Sequence, residues 1–305
     1  MASYNRLSAA EWERRLAGLA ERERECVLCP RECGVDRNEK LGVCHAPAEI
    51  STSSVNLHFG EEPPITGWGG SGTVFLTHCN LACVFCQNYP ISQLGTGRRM
   101  TEEELAAALV GLQKRGAHNI NFVSPTHYTA AVIRAVHLAA EQGLSVPIVW
   151  NSNGYESVET LRLLEGIVDI WLPDLKYGDD ANAKRYSRAP NYWAVATAAI
   201  KEMWRQAGQL VVAEDGIAER GVLVRHLVLP GDRSGTREVL RFLAEEISRE
   251  VSISLMAQYF PAHEAPNLPG MDRQITDEEY AQALKWLEEF GLENGYTQEA
   301  ELRFA

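Results

Sequence analysis

Three cysteines in one short loop constrain this chain more than anything else in it. The stretch Gly70-Ser71-Gly72-Thr73-Val74-Phe75-Leu76-Thr77-His78-Cys79-Asn80-Leu81-Ala82-Cys83-Val84-Phe85-Cys86-Gln87-Asn88 is a β-type run that feeds into a Cys-x3-Cys-x2-Cys loop. A 4Fe–4S cluster is held by thiolates, normally four of them. A close group of three leaves one iron without a local protein ligand. Such an iron can take a cofactor or substrate, much as an open position marks a catalytic zinc. The plainer readings are a zinc knuckle with His78 as fourth ligand, or three small buried thiols.

The surrounding chain sets limits on that chemistry. Its 305 residues suit one barrel-like domain with an appendage, and a formal charge of −12 disfavours nucleic acid or an anionic membrane as partner. No long apolar stretch and no leader-like pattern stands out, so the expected location is the cytoplasm. All seven cysteines precede position 87, which in such a compartment marks metal ligands rather than disulfides.

The four cysteines outside the loop form a second group. A helix over 8–25, with Ser8 as N-cap, runs into Cys26-Val27-Leu28-Cys29-Pro30-Arg31-Glu32-Cys33, and Cys44 follows. Cys26, Cys29, Cys33 and Cys44 suit a tetrahedral zinc or a second iron–sulfur cluster, and a compact loop-rich segment favours the zinc staple slightly. This sets a boundary between an N-terminal metal-binding segment, 1–57, and a main domain, 58–305.

From Thr73 onward, strand and helix alternate. Strands are expected at 119–124, 146–151, 168–173, 222–229 and 252–257. Helices are expected at 101–115, 127–142, 157–165, 179–208, 235–248 and from Thr276, several opened by capping boxes. An earlier strand spans 50–58. Six β/α units imply an α/β fold with a parallel sheet, as in an incomplete (β/α)6 barrel; a doubly wound open sheet has the same pattern. Ligands in either fold bind where strands end at their C-termini. The ends here are polar: Ser124 and Thr126, Asn151, Ser152 and Asn153, Asp174 and Lys176, Arg225, and Gln258 with His263. Glu61, Glu62, His58 and His127 are further candidates, whereas Trp150 and Trp171 read as core.

The cysteine spacing and Phe85 before the last cysteine resemble the radical S-adenosylmethionine (radical SAM) superfamily. Within it, 58–263 is most similar to the pyruvate formate-lyase activating enzyme group, in a poorly understood branch of iron–sulfur proteins. The N-terminal cysteines also look like that branch and like radical SAM proteins paired with the AMMECR and Memo families. The resemblance implies a radical SAM partial barrel with a cysteine-rich extension, and a 4Fe–4S cluster on Cys79, Cys83 and Cys86. Reductive cleavage of SAM to a 5'-deoxyadenosyl radical would follow, with a flavodoxin- or ferredoxin-type electron donor. It places Phe85 near the adenine, and Ser124 and Thr126 where relatives carry Gly-Gly-Glu for the methionine amino group. Asn151-Ser152-Asn153-Gly154 resembles the activases' Asp-Thr-Asn-Gly, and Asp174-Leu175-Lys176 their Asp-Leu-Lys. Arg225 and His263 match further SAM-site positions. Asn151 stands where the activases have an aspartate that helps hold a monovalent cation. The implied substrate is a glycyl residue of a partner enzyme. Another protein residue, a small molecule, or a non-catalytic role in electron transfer or assembly are the alternatives.

Overall fold

The computed structural model describes residues 2–298. Helix α1 (Ala9–Arg24) precedes strand β1 (Ser51–His58), helix α2 (Pro63–Thr66) and β2 (Ser71–Leu76). Then come α3 (Tyr89–Ser92), β3 (Arg98–Arg99), α4 (Glu102–Lys114), β4 (Ile120–Val123), α5 (Thr129–Glu141), β5 (Ile148–Ser152), α6 (Val158–Leu163) and β6 (Ile170–Pro173). The chain continues through α7 (Asp180–Ser187), α8 (Tyr192–Ala207), β7 (Val211–Val212), β8 (Ala218–Leu227), α9 (Thr236–Phe242), β9 (Ser252–Met256), α10 (Asp277–Glu289) and β10 (Gly295–Thr297).

Local chemistry explains most of these boundaries. Full capping boxes open α1 (Ser8 with Glu11), α4 (Thr101 with Glu104) and α10 (Thr276 with Glu279). Ser157 and Asp179 cap α6 and α7 through their side chains. The helical stretch expected over 179–208 is two helices. Arg188 and Asn191 adopt φ of 52° on either side of Pro190, which cannot continue a helix.

The sheet runs in the order β10-β9-β8-β6-β5-β4-β2-β1-β3. From β2 to β9, six parallel strands therefore sit beside their neighbours in chain order, with no reversal. That singly wound order is a partial barrel; a doubly wound sheet would switch direction from its first strand. At one edge β10 adds a seventh parallel strand, and at the other β1 and β3 run antiparallel, so strand pairing does not close the ring.

Strand β1 descends beside β2 and delivers the chain to the barrel floor, where α2 acts as a plug. Ile65 packs there with Val149, Ile170, Leu172 and Leu223, and Asn119 Nδ2 donates to the Ile65 carbonyl at 2.7 Å. Removing such a side chain from water contributes about 1.5–3 kcal/mol. Trp150 and Trp171 face the other way, into the main core, as expected. Trp12, Leu19, Cys26, Leu28 and Cys44 belong to that same core, so the N-terminal segment packs on the barrel. Among the described residues no helix is long and apolar enough to cross a membrane.

Candidate active site

Beyond β2 the chain turns sharply through His78 (φ 66°) and enters the cysteine loop. Backbone bonds clamp this loop on two sides. Ala82 and Val84 donate to the carbonyls of Ser187 and Tyr186 at the end of α7, while Glu264 and Ala265 donate to the Val84 carbonyl. Every thiol has a polar neighbour. Asn153 Nδ2 donates to Cys79 Sγ at 3.3 Å, the Leu81 amide does so at 3.4 Å, and Ser187 Oγ donates to Cys83 Sγ at 3.0 Å. Cys86 Sγ lies 3.1 Å from Ser92 Oγ. Burial pushes the Cys79 thiol up to about 11 and the Cys83 thiol to about 12; the Lys176 ammonium opposes both. Among the described residues no three His, Cys, Asp or Glu side chains converge on a single ion. Thiols that feel one another, each with a donor in reach, fit the wider grip of an iron–sulfur core, whose potential such hydrogen bonds tune.

Below the loop, the inward faces of the strands build a polar layer above the plug. Arg225 Nε donates to Asp174 Oδ1 at 2.9 Å and its Nη2 to Asn151 Oδ1 at 2.7 Å. Lys176 Nζ donates to the other Asp174 oxygen at 2.5 Å. Glu61 enters from the floor, accepting from Asn121 Nδ2 at 3.0 Å and standing 3.5 Å from Arg225 Nη1. Burial alone would raise the Asp174 carboxyl, but Arg225 and Lys176 together hold it below the ordinary carboxylate range. Burial raises Glu61 despite Arg225. Tyr192 OH donates to the Asn153 and Asp174 carbonyls and accepts from the Lys176 amide, tying two strand tips together.

The expected residues divide between two faces. Asn151, Asn153, Asp174, Lys176 and Arg225 gather beneath the cysteines. Ser152 does not, because side chains alternate along a strand. It turns toward Glu156, a buried carboxylate that also accepts from Thr126 Oγ1 at 2.7 Å and Trp150 Nε1 at 3.2 Å. Thr126 thus faces Glu156 as well, while Ser124 ends β4 in a left-handed turn (φ 56°). Phe85 is buried edge-on against Tyr259, their centroids 5.7 Å apart. His263 stacks on Tyr89 at 4.7 Å, next to the cysteine loop. His127 is buried, its Nε2 2.8 Å from the Thr77 carbonyl.

Several residues of the site carried no sequence signal. Ser187 and Tyr192 belong to helices whose termini happen to reach the loop. Asn80 lies inside the motif, and the Asn153 amide donates to its Oδ1 at 2.7 Å. In the N-terminal group, Cys26, Cys29 and Cys44 are buried and Cys33 half-buried, and burial pushes the Cys29 thiol up to about 12.

A family model described as the Radical SAM superfamily matches residues 73–232. The uncharacterized protein MJ0674 of Methanocaldococcus jannaschii is 30% identical over 279 residues, covering 88% of this chain and 76% of that protein. The uncharacterized protein MJ0808 of the same organism is 23% identical over 263 residues, covering 80% of this chain and 73% of that protein. Among solved structures, HydG, a maturase of the FeFe-hydrogenase, superimposes with a TM-score of 0.50 at 13% identity, over 72% of this chain and 49% of that one. Methylornithine synthase (PylB) gives a TM-score of 0.46 at 15% identity, over 95% of this chain and 78% of that one.

Proposed function

The chain belongs to the radical SAM superfamily, and from that premise we propose that Cys79, Cys83 and Cys86 hold its 4Fe–4S cluster at the top of the partial barrel. When bound, the cluster and SAM supply reductive cleavage to a 5'-deoxyadenosyl radical, the chemistry that membership of this superfamily brings. The protein supplies orientation, dryness and charge. Asn153 and Ser187 set donors on two of the sulfurs. Lys176 places a cation within reach of Cys83 and is the candidate for the methionine carboxylate, with Asn151 and Asn153 as hydrogen-bonding groups beside it. Arg225 commits all three of its nitrogens, to Asp174, Asn151 and Glu61, whereas Lys176 makes one bond to Asp174 and keeps ammonium protons to spare, so the role of Arg225 is to fix Asp174 and Asn151 under the cofactor.

The observation that carries this reading is three thiols, each with a polar partner, standing over a layer of paired charges, Arg225 and Lys176 with Asp174 and Glu61, at the C-terminal end of six parallel strands. Anaerobic reconstitution with iron, sulfide, dithionite and SAM tests it. 5'-Deoxyadenosine should form with the native chain and vanish in Cys79→Ala, Cys83→Ala or Cys86→Ala, with helical content kept. A variant as productive as the native chain removes the assignment.

For the hydrogen donor, a glycyl residue of a partner enzyme is the proposal, with a flavodoxin- or ferredoxin-type protein as reductant. The matches of Asn153-Gly154 and Asp174-Leu175-Lys176 to the activating enzymes support it, and a sheet left unclosed at its two edges suits a macromolecular substrate. Fold alone does not choose a substrate. A glycyl-radical doublet on a candidate partner, dependent on SAM and this protein, decides it against another protein residue or a small molecule.

A further inference from the structure

The four N-terminal cysteines take no part in the chemistry above, yet they are placed beside it. After α1 the chain turns through Glu32 (φ 41°) and Gly34 (φ 60°), and again at His45 (φ 56°) next to Cys44. These turns fold Cys26, Cys29, Cys33 and Cys44 into one compact segment, in which the Cys26 amide donates to the Val35 carbonyl and the Gly34 amide to the Cys26 carbonyl. The Val43 amide donates to Cys33 Sγ at 3.4 Å, which sets the turn before Cys44 against the Cys29–Cys33 loop. Four cysteines gathered in this way are a donor set for zinc or for an iron–sulfur cluster. One zinc with bonds of about 2.3 Å would draw the sulfurs to within about 4 Å of one another. Among the described residues no such single-ion convergence occurs, here or at the Cys79 loop.

The direction in which the group faces is the second observation. Cys44 and Cys79, one from each set, line the same cavity of about 430 Å³, with His45, Asn80 and Ser92 also in its wall. Arg31, inside the Cys29–Cys33 loop, spans the junction. Its Nε donates to the Asn80 carbonyl at 2.9 Å and its Nη2 to the Arg188 carbonyl at 2.7 Å, while the guanidinium lies 5.2 Å from the Tyr155 ring centroid. A zinc that only stapled the N-terminal segment would not require its ligand loop to grip the residue after Cys79.

We propose that Cys26, Cys29, Cys33 and Cys44 hold a second iron–sulfur cluster, through which the electron reaches the Cys79 site. This rests on the radical SAM reading. A reduced flavodoxin- or ferredoxin-type carrier gives one electron to the N-terminal cluster and is itself oxidised. That cluster is reoxidised as the electron passes to the cluster on Cys79, Cys83 and Cys86. No bond forms or breaks in either transfer, and no proton moves.

Metal content and electron paramagnetic resonance of the anaerobically reconstituted full chain test the proposal. The Cys79→Ala/Cys83→Ala/Cys86→Ala triple variant should keep iron and sulfide in the proportion of one cluster and give a paramagnetic signal on reduction. Fully reduced native protein should show both signals broadened by their mutual spin coupling, and the broadening should be absent in the triple variant and in Cys44→Ser. Should Cys44→Ser fail to fold, Arg31→Ala serves. It should keep both clusters and dithionite-driven SAM cleavage while losing carrier-driven cleavage by on the order of tenfold. Zinc in the triple variant overturns the proposal, and so does a native spectrum that is the plain sum of two isolated centres. Either result leaves SAM cleavage by dithionite intact. Two assembled, coupled clusters without any SAM cleavage would instead overturn the function and spare the second cluster.

Discussion

Arg225 on β8 sets its Nε 2.9 Å from Oδ1 of Asp174, at the end of the neighbouring strand β6. The pair is largely enclosed, its side chains 18% and 14% exposed, with Lys176 on the second carboxylate oxygen and Asn151 on the guanidinium. Breaking a buried pair from one side leaves an uncompensated charge, so Arg225→Ala should cost about 3–5 kcal/mol of stability. Asp174 has its carboxyl lowered in the fold, so its contribution is present above the unfolded value near pH 4 and is lost as pH falls through the lower folded value. Without Arg225 the acid-unfolding midpoint should move to higher pH. Arg225→Lys should recover part of the loss, because an ammonium replaces the charge but not the fork that reaches Asp174 and Asn151 together. Denaturant melts from pH 3 to 7 measure this, and an unchanged acid midpoint in Arg225→Ala would count against it.

Glu156 has the opposite sign. Burial raises its carboxyl to about 7, and one of its oxygens has no hydrogen-bond partner. An acid raised in the fold costs stability as pH climbs from the unfolded value near 4.3 to the folded one, here about 4 kcal/mol in full. Glu156→Gln should match the native chain at pH 4 and melt at a higher temperature at pH 8. Parallel melting curves at every pH would remove Glu156 as a titrating group.

Gly154 is fixed by its surroundings. Its φ is 77°, and a Cβ there would lie 2.2 Å from the Asp174 carbonyl oxygen. Gly154→Ala should therefore cost roughly 1–3 kcal/mol from the left-handed backbone, and more from the contact. Because the intrusion separates the β5 and β6 tips, SAM affinity should fall together with melting temperature. Calorimetric titration of the folded variant at native affinity would show that the tips are not part of the pocket.

Ser187 donates to Cys83 Sγ and lies 2.6 Å from Tyr177 OH. A donor on a cluster sulfur stabilises the electron added on reduction, so Ser187→Ala should shift the cluster potential to more negative values. Tyr177→Phe, which keeps the serine, should shift it less. Redox titration followed by paramagnetic resonance separates the two, and equal shifts would assign the effect to packing.

The sequence by itself determined the units of this protein. Ser8, Thr101 and Thr276, each with a glutamate three residues on, start helices wherever they occur, since a capping box closes within one turn. Runs such as Ile148–Ser152 form strands because both faces are buried and no competing local pattern exists. The cysteine spacings were equally legible, because ligands on one loop need no distant partner to be neighbours. Tertiary structure decided the rest. Whether six β/α units curl into a partial barrel or wind both ways depends on strand order, which no strand encodes locally. Gly295–Thr297 is a strand only because β9 offers it an edge. Register and pleat turned Asn151 and Asn153 toward the cysteines and Ser152 away, and a one-residue slip would have exchanged them. Glu61 joined the site by entering through the floor, and Ser187 by lying at a helix end clamped to the loop. Each of these placements was set by groups far away in the chain, which only packing brings within a hydrogen bond's reach.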